Sequence, residues 1–177
     1  MSKRYLFFLG HPAHYHLFKN IISNLEIKGH EVKILIKSKD ILEKLCIESG
    51  LNYINILPVR RANNYFSIII SFIIKYYRIS KVIRYFRPNI LLSSEPSFSH
   101  LGKIFGIPSL IFSEDDIDII PLYAWITYPF TDAIISPEVC NAGRWEYKKV
   151  PYNGYHKLCY LHPDIFKPNK ELIKEEL

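Results

Sequence analysis

Short apolar segments alternate with helical patterns along the chain, and this alternation constrains the fold more than any other feature. Strand-like segments at 5–9, 31–36 and 51–57 are each followed by a helical pattern, at 14–28, 40–49 and 64–86. In the first of these helices, Leu17, Ile21 and Leu25 recur every four residues. Repeated strand and helix units of this kind are typical of a doubly wound parallel sheet, so we predict a Rossmann-like α/β fold.

The alternation continues through the second half of the chain. Strand-like segments at 90–93, 109–112 and 133–135 are separated by helical patterns at 97–105 and 117–128, which makes about six strands in all. Asp40 is the expected N-cap of the second helix, and Gly29, Gly50 and Gly106 are the expected helix ends. Regular patterning stops near Tyr152, so we expect an ordered irregular segment there, followed by a short last helix.

Composition narrows the class of protein further. The chain has 177 residues, of which 49% are apolar and 23% charged, and this suits one globular domain with a substantial core. Three cysteines without paired spacing and no secretory signal before the first strand favour the cytoplasm. The positive net charge arises between Ser49 and Ser94, which contains no acid. Its basic residues are Arg60, Arg61, Lys75, Arg78, Lys81, Arg84 and Arg87. A basic segment this local, without a reading motif, argues against nucleic-acid binding.

Three histidines and a glycine stand between the first strand and the first helix, within residues 10–20. In an open parallel sheet such corners lie at the carboxyl ends of strands, where ligands bind. We therefore expect Gly10, His11, His14 and His16 to line a ligand cleft. The alternative is structural, with His14 capping the helix and His16 facing solvent. The spacing predicts neither a metal site nor a dinucleotide cofactor, because no carboxylate lies at ligand distance and the three-glycine fingerprint is absent.

Acidic residues follow two of the predicted strands. Glu95 comes after the fourth strand, and Glu114, Asp115 and Asp116 come after the fifth. Both groups should therefore lie at the same edge of the sheet as His11. We predict Glu95 and Glu114 as functional carboxylates and Asp115 and Asp116 as substrate-binding residues. The alternative is that Asp115 or Asp116 caps the next helix.

The helical pattern at 64–86 has more apolar residues than one buried face needs. The predicted buried stripe consists of Ile68, Phe72, Ile79, Val82, Ile83 and Phe86, and the apolar residues off that stripe are Phe66, Ile70, Ile73 and Ile74. The apolar run is far shorter than the roughly 20 residues that span a bilayer. Basic residues follow it at intervals of three, so an anionic membrane surface is a candidate partner. A buried helix or a dimer contact explains the same pattern.

Four segments together resemble a family of unknown function whose members have the architecture of GT-B glycosyltransferases. They are residues 10–20 (Gly-His-Pro-Ala-His-Tyr-His-Leu-Phe-Lys-Asn), 28–32 (Lys-Gly-His-Glu-Val), 127–132 (Thr-Tyr-Pro-Phe-Thr-Asp) and 154–163 (Gly-Tyr-His-Lys-Leu-Cys-Tyr-Leu-His-Pro). The resemblance covers nearly the whole chain. It implies an N-terminal, acceptor-side lobe at 1–163, with 164–177 beginning a linker to a second lobe that this chain lacks. More distantly, the architecture is similar to UDP-N-acetylglucosamine 2-epimerases and to the membrane-associated N-acetylglucosaminyltransferase of peptidoglycan synthesis.

The resemblance implies a transferase for surface polysaccharide or glycolipid synthesis, located in the cytoplasm or at the inner face of the cell membrane. Its partners would be a nucleotide-sugar donor, held chiefly by the second lobe, and a sugar or lipid-linked acceptor. His11, Glu95 or Glu114, around a common pocket, would remove the acceptor proton. The isolated chain is expected to be inactive, and no cofactor is expected. The alternatives are a 2-epimerase-like half and a non-catalytic sugar- or nucleotide-binding lobe.

Overall fold

The computed structural model describes residues 1–57 and 65–168, and seven of its strands form one parallel sheet. The strands are β1 Arg4–Leu9, β2 Glu31–Lys37, β3 Tyr53–Leu57, β4 Ile90–Ser93, β5 Ser109–Phe112, β6 Ala133–Pro137 and β7 Lys149–Tyr152. Their spatial order is β3-β2-β1-β4-β5-β6-β7, and every neighbouring pair is parallel. The order reverses between β1 and β4, which confirms the Rossmann-like doubly wound α/β fold.

Helices cover both faces of this sheet. They are α1 Pro12–Ile27, α2 Leu42–Glu48, α3 Tyr65–Phe86, α4 Pro96–Phe105, α5 Pro121–Thr127 and α6 Leu158–Leu161, with a 3-10 helix at Gly143–Lys148. Gly106 ends α4 with a φ of 65°, a conformation that L side chains rarely adopt. The predicted cap of α2 is wrong, because Ile41 occupies the cap position and Asp40 precedes it with a φ of 48°.

The central strand β1 has a core on each side. Its side chains alternate, so that Leu6 and Phe8 pack against α3, α4 and α5, while Phe7 and Leu9 pack against α1 and α2. All four side chains have 0% exposure. Full burial of each contributes about 1.5–3 kcal/mol, so β1 is a rigid base for the residues that follow it.

Two elements differ from the expected boundaries. The seventh strand, β7, was not predicted, because a four-residue edge strand containing Pro151 has no alternating apolar pattern. The helix predicted at 117–128 begins only at Pro121. The backbone turns first, with the N–H groups of Ile119 and Ile120 donating to the carbonyl of Asp116.

Helix α3 is buried along its C-terminal half only. Ile79, Ile83 and Phe86 are buried as predicted, whereas Ile68 and Phe72 are 39% and 50% exposed, so this part of the predicted stripe is wrong. The reason is length: 22 helical residues span about 33 Å, and the four residues of β4 span about 13 Å. The N-terminal half therefore extends past the sheet. Arg60, Arg61, Asn64 and the side chain of Phe66 lie outside the described part of the chain.

Candidate functional site

A cavity of about 310 Å³ opens where α1 faces the carboxyl ends of β4 and β5. This is next to the point where the strand order reverses, the usual position for a ligand in an open α/β sheet. Its walls come from α1, the loops after β4 and β5, helix α5, and the C-terminal segment. The lining residues are Ala13, His14, Leu17, Ser94, Phe112, Ser113, Glu114, Asp115, Ile120, Tyr123, His156, Lys157 and Tyr160.

His14 contributes an uncharged imidazole to this cavity. Its Nδ1 accepts the backbone N–H of Gly10 at 3.1 Å, so in the neutral ring the proton is on Nε2. Burial lowers the pKa of His14 to about 4, and the neighbouring Glu95 carboxylate only partly opposes this. At neutral pH the side chain is therefore a hydrogen-bond donor through Nε2, and it is unsuited to act as a strong base.

His11 has a structural contact at the start of α1. It is the N-cap residue, and its Nδ1 accepts the N–H of Ala13 at 3.2 Å, while Pro12 takes the first helical position. Its ring lies 6.2 Å from that of His14, and its side chain is not among those that line the cavity. The imidazole thus covers part of the helix terminus that the sequence suggested for ligand oxygens.

Glu95 lies in a buried ion-pair network behind the cavity wall. Its carboxylate contacts Nζ of Lys37 at 2.5 Å and Nζ of Lys75 at 3.2 Å, and its side chain is 15% exposed. Burial by itself raises the pKa of Glu95, but the two ammonium groups outweigh burial and hold the pKa below its ordinary value. The carboxylate also explains Gly10, because a Cβ there would lie 2.2 Å from Oε1. Glu95 and Gly10 are therefore in contact with each other and do not line the cavity.

Glu114 is the predicted catalytic residue that lines the cavity. Its side chain is 36% exposed, and its Oε2 lies 3.8 Å from Nδ1 of His156. His156 is 9% exposed and stacks on Tyr152 with ring centroids 6.0 Å apart. Burial lowers the pKa of His156, opposed by the carboxylates of Glu114 and Asp115. The structure thus pairs an open carboxylate with a neutral imidazole, and it does not bring His11, Glu95 and Glu114 around one pocket.

The remaining predicted binding residues separate into two groups. Asp115 lines the cavity. Asp116 instead organises the turn before α5, and its Oδ1 accepts the N–H of Asn141 at 2.7 Å. His16 lies outside the lining, with its ring 5.0 Å from that of Tyr160.

The C-terminal segment forms a wall that the residue patterns did not predict. Its His156, Lys157 and Tyr160 line the cavity, and Asn20 Nδ2 of α1 donates to the carbonyl of Cys159 at 2.7 Å. The signal was present in the sequence, because these residues belong to the segment 154–163 that carries the resemblance. The segment has no periodic pattern, so nothing local indicated which of its side chains face the cavity.

Two further observations concern metal binding and membrane-spanning helices. Within residues 1–57 and 65–168, no group of three or more His, Cys, Asp and Glu side chains is placed to hold a metal ion. In the same ranges no helix combines the length and apolar character needed to cross a membrane.

Solved structures of several sugar-processing enzymes resemble this fold. No family model and no curated protein matches the chain. The Staphylococcus aureus MnaA–UDP structure matches with a TM-score of 0.63 and 14% identity, over 95% of this chain and 49% of the other. A glycosyltransferase from Rickettsia africae matches with a TM-score of 0.62 and 15% identity, over 99% and 49%.

MurG from Acinetobacter baumannii matches with a TM-score of 0.58 and 11% identity, over 77% of this chain and 41% of the other. A putative UDP-N-acetylglucosamine 2-epimerase from Listeria monocytogenes also matches, with a TM-score of 0.59 and 14% identity, over 77% and 39%. At these identities the likeness shows the fold, which is that of one lobe of the GT-B-like proteins. The chain spans less than half the length of each of these four structures.

Proposed function

We propose that this chain is the N-terminal, acceptor-side lobe of a GT-B-type glycosyltransferase that uses a nucleotide-sugar donor in surface polysaccharide or glycolipid synthesis. One observation carries the proposal: the cavity at the reversal of strand order combines an open carboxylate, Glu114, with an uncharged hydrogen-bond donor, His14. Residues 1–163 form the lobe, and residues 164–177 begin the connection to a second lobe that binds the donor.

In the proposed reaction Glu114 is the general base. Its carboxylate takes the proton from an acceptor hydroxyl, the hydroxyl oxygen bonds to the anomeric carbon, and the bond from that carbon to the nucleoside diphosphate breaks. Glu114 suits this step better than Glu95, since both oxygens of Glu95 are held by lysines. It suits the step better than His11 because the His11 Nδ1 lone pair is used in the helix cap.

His14 would hold an oxygen of the acceptor or donor through its Nε2–H group. The Gly10 N–H fixes both the orientation and the tautomer of the ring, so the Nε2–H group of His14 is in place before substrate binds. His16 and Asp116 would stabilise the segments around the cavity through their contacts with Tyr160 and Asn141, and they would not contact the substrate. Asp115 would accept a hydrogen bond from a substrate hydroxyl.

The test is reconstitution of activity. Residues 1–177 alone should give no product with UDP-sugar donors and sugar acceptors, whereas adding the second lobe, sought in the reading frame directly downstream, should restore transfer. Glu114→Gln should then reduce kcat by about 10²–10⁴-fold, the usual size of a general-base contribution. Asp118→Asn, an exposed acid on the same loop, is the matched control. Donor-dependent turnover by residues 1–177 alone would overturn the half-enzyme proposal.

A lipid-linked acceptor would bring the lobe to a membrane, and two helices support this part of the proposal. In α3, Ile70 and Ile73 are 55% and 61% exposed, and in α5 Leu122 and Trp125 are 74% and 56% exposed. His100 joins the two helices, since its ring nitrogens contact Tyr76 Oη and the carbonyl of Ile126, each at 2.5 Å. The two helices therefore lie on the same side of the sheet, and the basic residues of α3 follow its exposed apolar residues in the C-terminal half of the helix.

Liposome co-sedimentation tests the membrane contact. Lys81→Gln with Arg84→Gln should weaken binding to anionic vesicles by roughly 30-fold, because each basic residue near such a surface contributes about 1 kcal/mol. Arg78 is left unchanged because its guanidinium donates to the carbonyl of Ile56 at 2.6 Å. Lys28→Gln with Lys44→Gln, on the opposite face of the sheet, should change little. Equal binding to neutral and anionic vesicles would contradict an electrostatic membrane contact.

The 2-epimerase-like half is the second candidate, favoured by the structural match to the putative UDP-N-acetylglucosamine 2-epimerase from Listeria monocytogenes. Paired acids that remove and return a proton would then be Glu114 and Asp115, which both line the cavity. Incubation of the reconstituted protein with UDP-N-acetylglucosamine in deuterated water distinguishes the two. Deuterium at carbon 2 without an acceptor indicates epimerase chemistry, and its absence together with acceptor-dependent transfer indicates a transferase. Binding without either reaction indicates a non-catalytic lobe.

A further inference from the structure

The chemistry of the cavity walls indicates which sugars it can hold. Three aromatic side chains, Phe112, Tyr123 and Tyr160, contribute to the lining, together with hydroxyl, carboxylate and imidazole groups. Its volume of about 310 Å³ is at the lower end of the range for small-molecule pockets, roughly 300–1,000 Å³. A single sugar ring suits this space better than a nucleoside diphosphate does.

The aromatic wall is held in place by contacts outside the cavity. Tyr123 Oη donates to the carbonyl of Ser94 at 3.0 Å, and Phe112 packs edge-on against Phe18 with ring centroids 4.8 Å apart. Fixed rings of this kind offer flat apolar surface to the C–H face of a sugar ring. The hydroxyl groups of that sugar would then point to the polar walls.

The polar walls accept hydrogen bonds and are negatively charged. Ionised Glu114 and Asp115 can only accept hydrogen bonds, which suits hydroxyl donors. His14 and His156 add no positive charge at neutral pH, because burial lowers the pKa of both rings. Lys157 is the lysine in the lining, and its side chain is exposed. The described lining thus contains two carboxylates and one ammonium group.

Two lysines that lie outside the lining do not change this balance within the cavity. Lys37 and Lys75 both contact the Glu95 carboxylate, and none of the three residues is part of the lining. A carboxylate or phosphate on a bound ring would therefore lie close to Glu114 and Asp115, and among the described residues of the lining Lys157 alone could offset the repulsion. Like charges placed together in this way disfavour binding strongly.

We propose that this cavity selects an uncharged, hydroxyl-rich sugar ring and rejects rings that bear a carboxylate or a phosphate. The inference rests on the proposed function, since it specifies the acceptor that the lobe receives. It makes Glu114 and Asp115 specificity-determining residues in addition to their proposed roles in the reaction.

The experiment titrates residues 1–177 with matched pairs of sugars and follows backbone amide NMR signals. The pairs are the methyl glycosides of glucose and glucuronic acid, the methyl glycosides of galactose and galacturonic acid, and glucose with glucose 6-phosphate. A neutral member should shift the signals of cavity residues, and its acidic partner should bind at least about tenfold more weakly. The double variant Glu114→Gln, Asp115→Asn should bind the neutral sugar more weakly and bring the two members of a pair to similar affinity. Asp118→Asn should retain the wild-type preference.

The outcomes separate this inference from the proposed function. If an acidic sugar binds the wild-type cavity as tightly as its neutral partner, the selectivity proposal is wrong and the acceptor-lobe proposal still holds. If neither member of any pair shifts the cavity signals of a folded chain, both proposals fail. Should the double variant not fold, the preference measured with the wild-type chain decides the question without it.

Discussion

The corners after β4 and β5 each carry a glutamate at the same distance from the strand, but the two carboxylates differ in exposure and in charged neighbours. Glu95 and Glu114 each stand two residues beyond the end of their strand. Glu95 is 15% exposed and held by two lysines, whereas Glu114 is 36% exposed and faces His156. Lysines from β2 and α3 reach the first corner, and an imidazole from the C-terminal segment reaches the second. The side chains packed around each carboxylate, and not its position after a strand, therefore decide which one is open to a ligand.

The largest expected difference between the two corners is in stability. Glu95→Ala should lower the free energy of unfolding by about 3–5 kcal/mol, because it leaves the partly buried ammonium groups of Lys37 and Lys75 without their partner. Glu114→Ala should lower it by less than about 1 kcal/mol. Urea unfolding followed by tryptophan fluorescence measures both values. Similar losses for the two variants would show that the corners do not differ as described.

The pH dependence of stability at His14 is the second test, since this cavity residue is influenced both by the Glu95 carboxylate and by His156. Its pKa in the folded chain is about 4 against an ordinary value of 6.5, so between these values the unfolded chain binds more protons. Stability should therefore be full above pH 6.5 and should fall by up to about 3 kcal/mol as the pH drops to 4. In His14→Asn, whose side-chain oxygen can still accept the Gly10 N–H, that part of the pH dependence should disappear. An unchanged pH profile in this variant would argue against a buried neutral His14.

The third prediction concerns the close contact between Gly10 and Glu95. A Cβ at Gly10 would lie 2.2 Å from Oε1 of Glu95, so Gly10→Ala must move the carboxylate away from Lys37. We expect a loss of about 2 kcal/mol in the free energy of unfolding, measured by the same urea titration. Combined with Glu95→Ala the two losses should not add, because the second change removes the clash that the first creates. Additive losses would show that the destabilisation by Gly10→Ala does not come from its contact with Glu95.

The smallest expected effect is at the β5 corner. Glu114→Gln should change the free energy of unfolding by less than about 0.5 kcal/mol. It should lower the pKa of His156 further, because the Glu114 carboxylate favours the charged imidazole. NMR titration of the His156 ring protons measures the pKa, with Glu146→Gln as a control at an acid paired with Lys149. If the His156 pKa is the same in Glu114→Gln and in the wild-type chain, the proposed pairing at 3.8 Å is not electrostatically significant.

The β4 and β5 corners also show how far prediction from sequence could go. Both acids, the histidine-rich corner after β1, and their common edge of the sheet followed from strand periodicity and parallel topology. The ion pairs of Glu95 and the contact between Glu114 and His156 did not, because each partner comes from a distant part of the chain. The exposure of Ile68 and Phe72 was missed for a related reason, since a helical stripe shows one face but not where the sheet beneath it ends.

Apolar periodicity and helix ends are local properties, so the α/β class, the first six strands and the edge of the sheet where ligand chemistry would lie could be predicted from the sequence alone. The packed structure was needed to show that Glu114, His14 and Asp115 line the cavity while Glu95, Gly10, His11, His16 and Asp116 do not. The exposure and charge of a side chain depend on what packs against it. Here those neighbours are lysines from β2 and α3 and an irregular C-terminal segment, which no local pattern places.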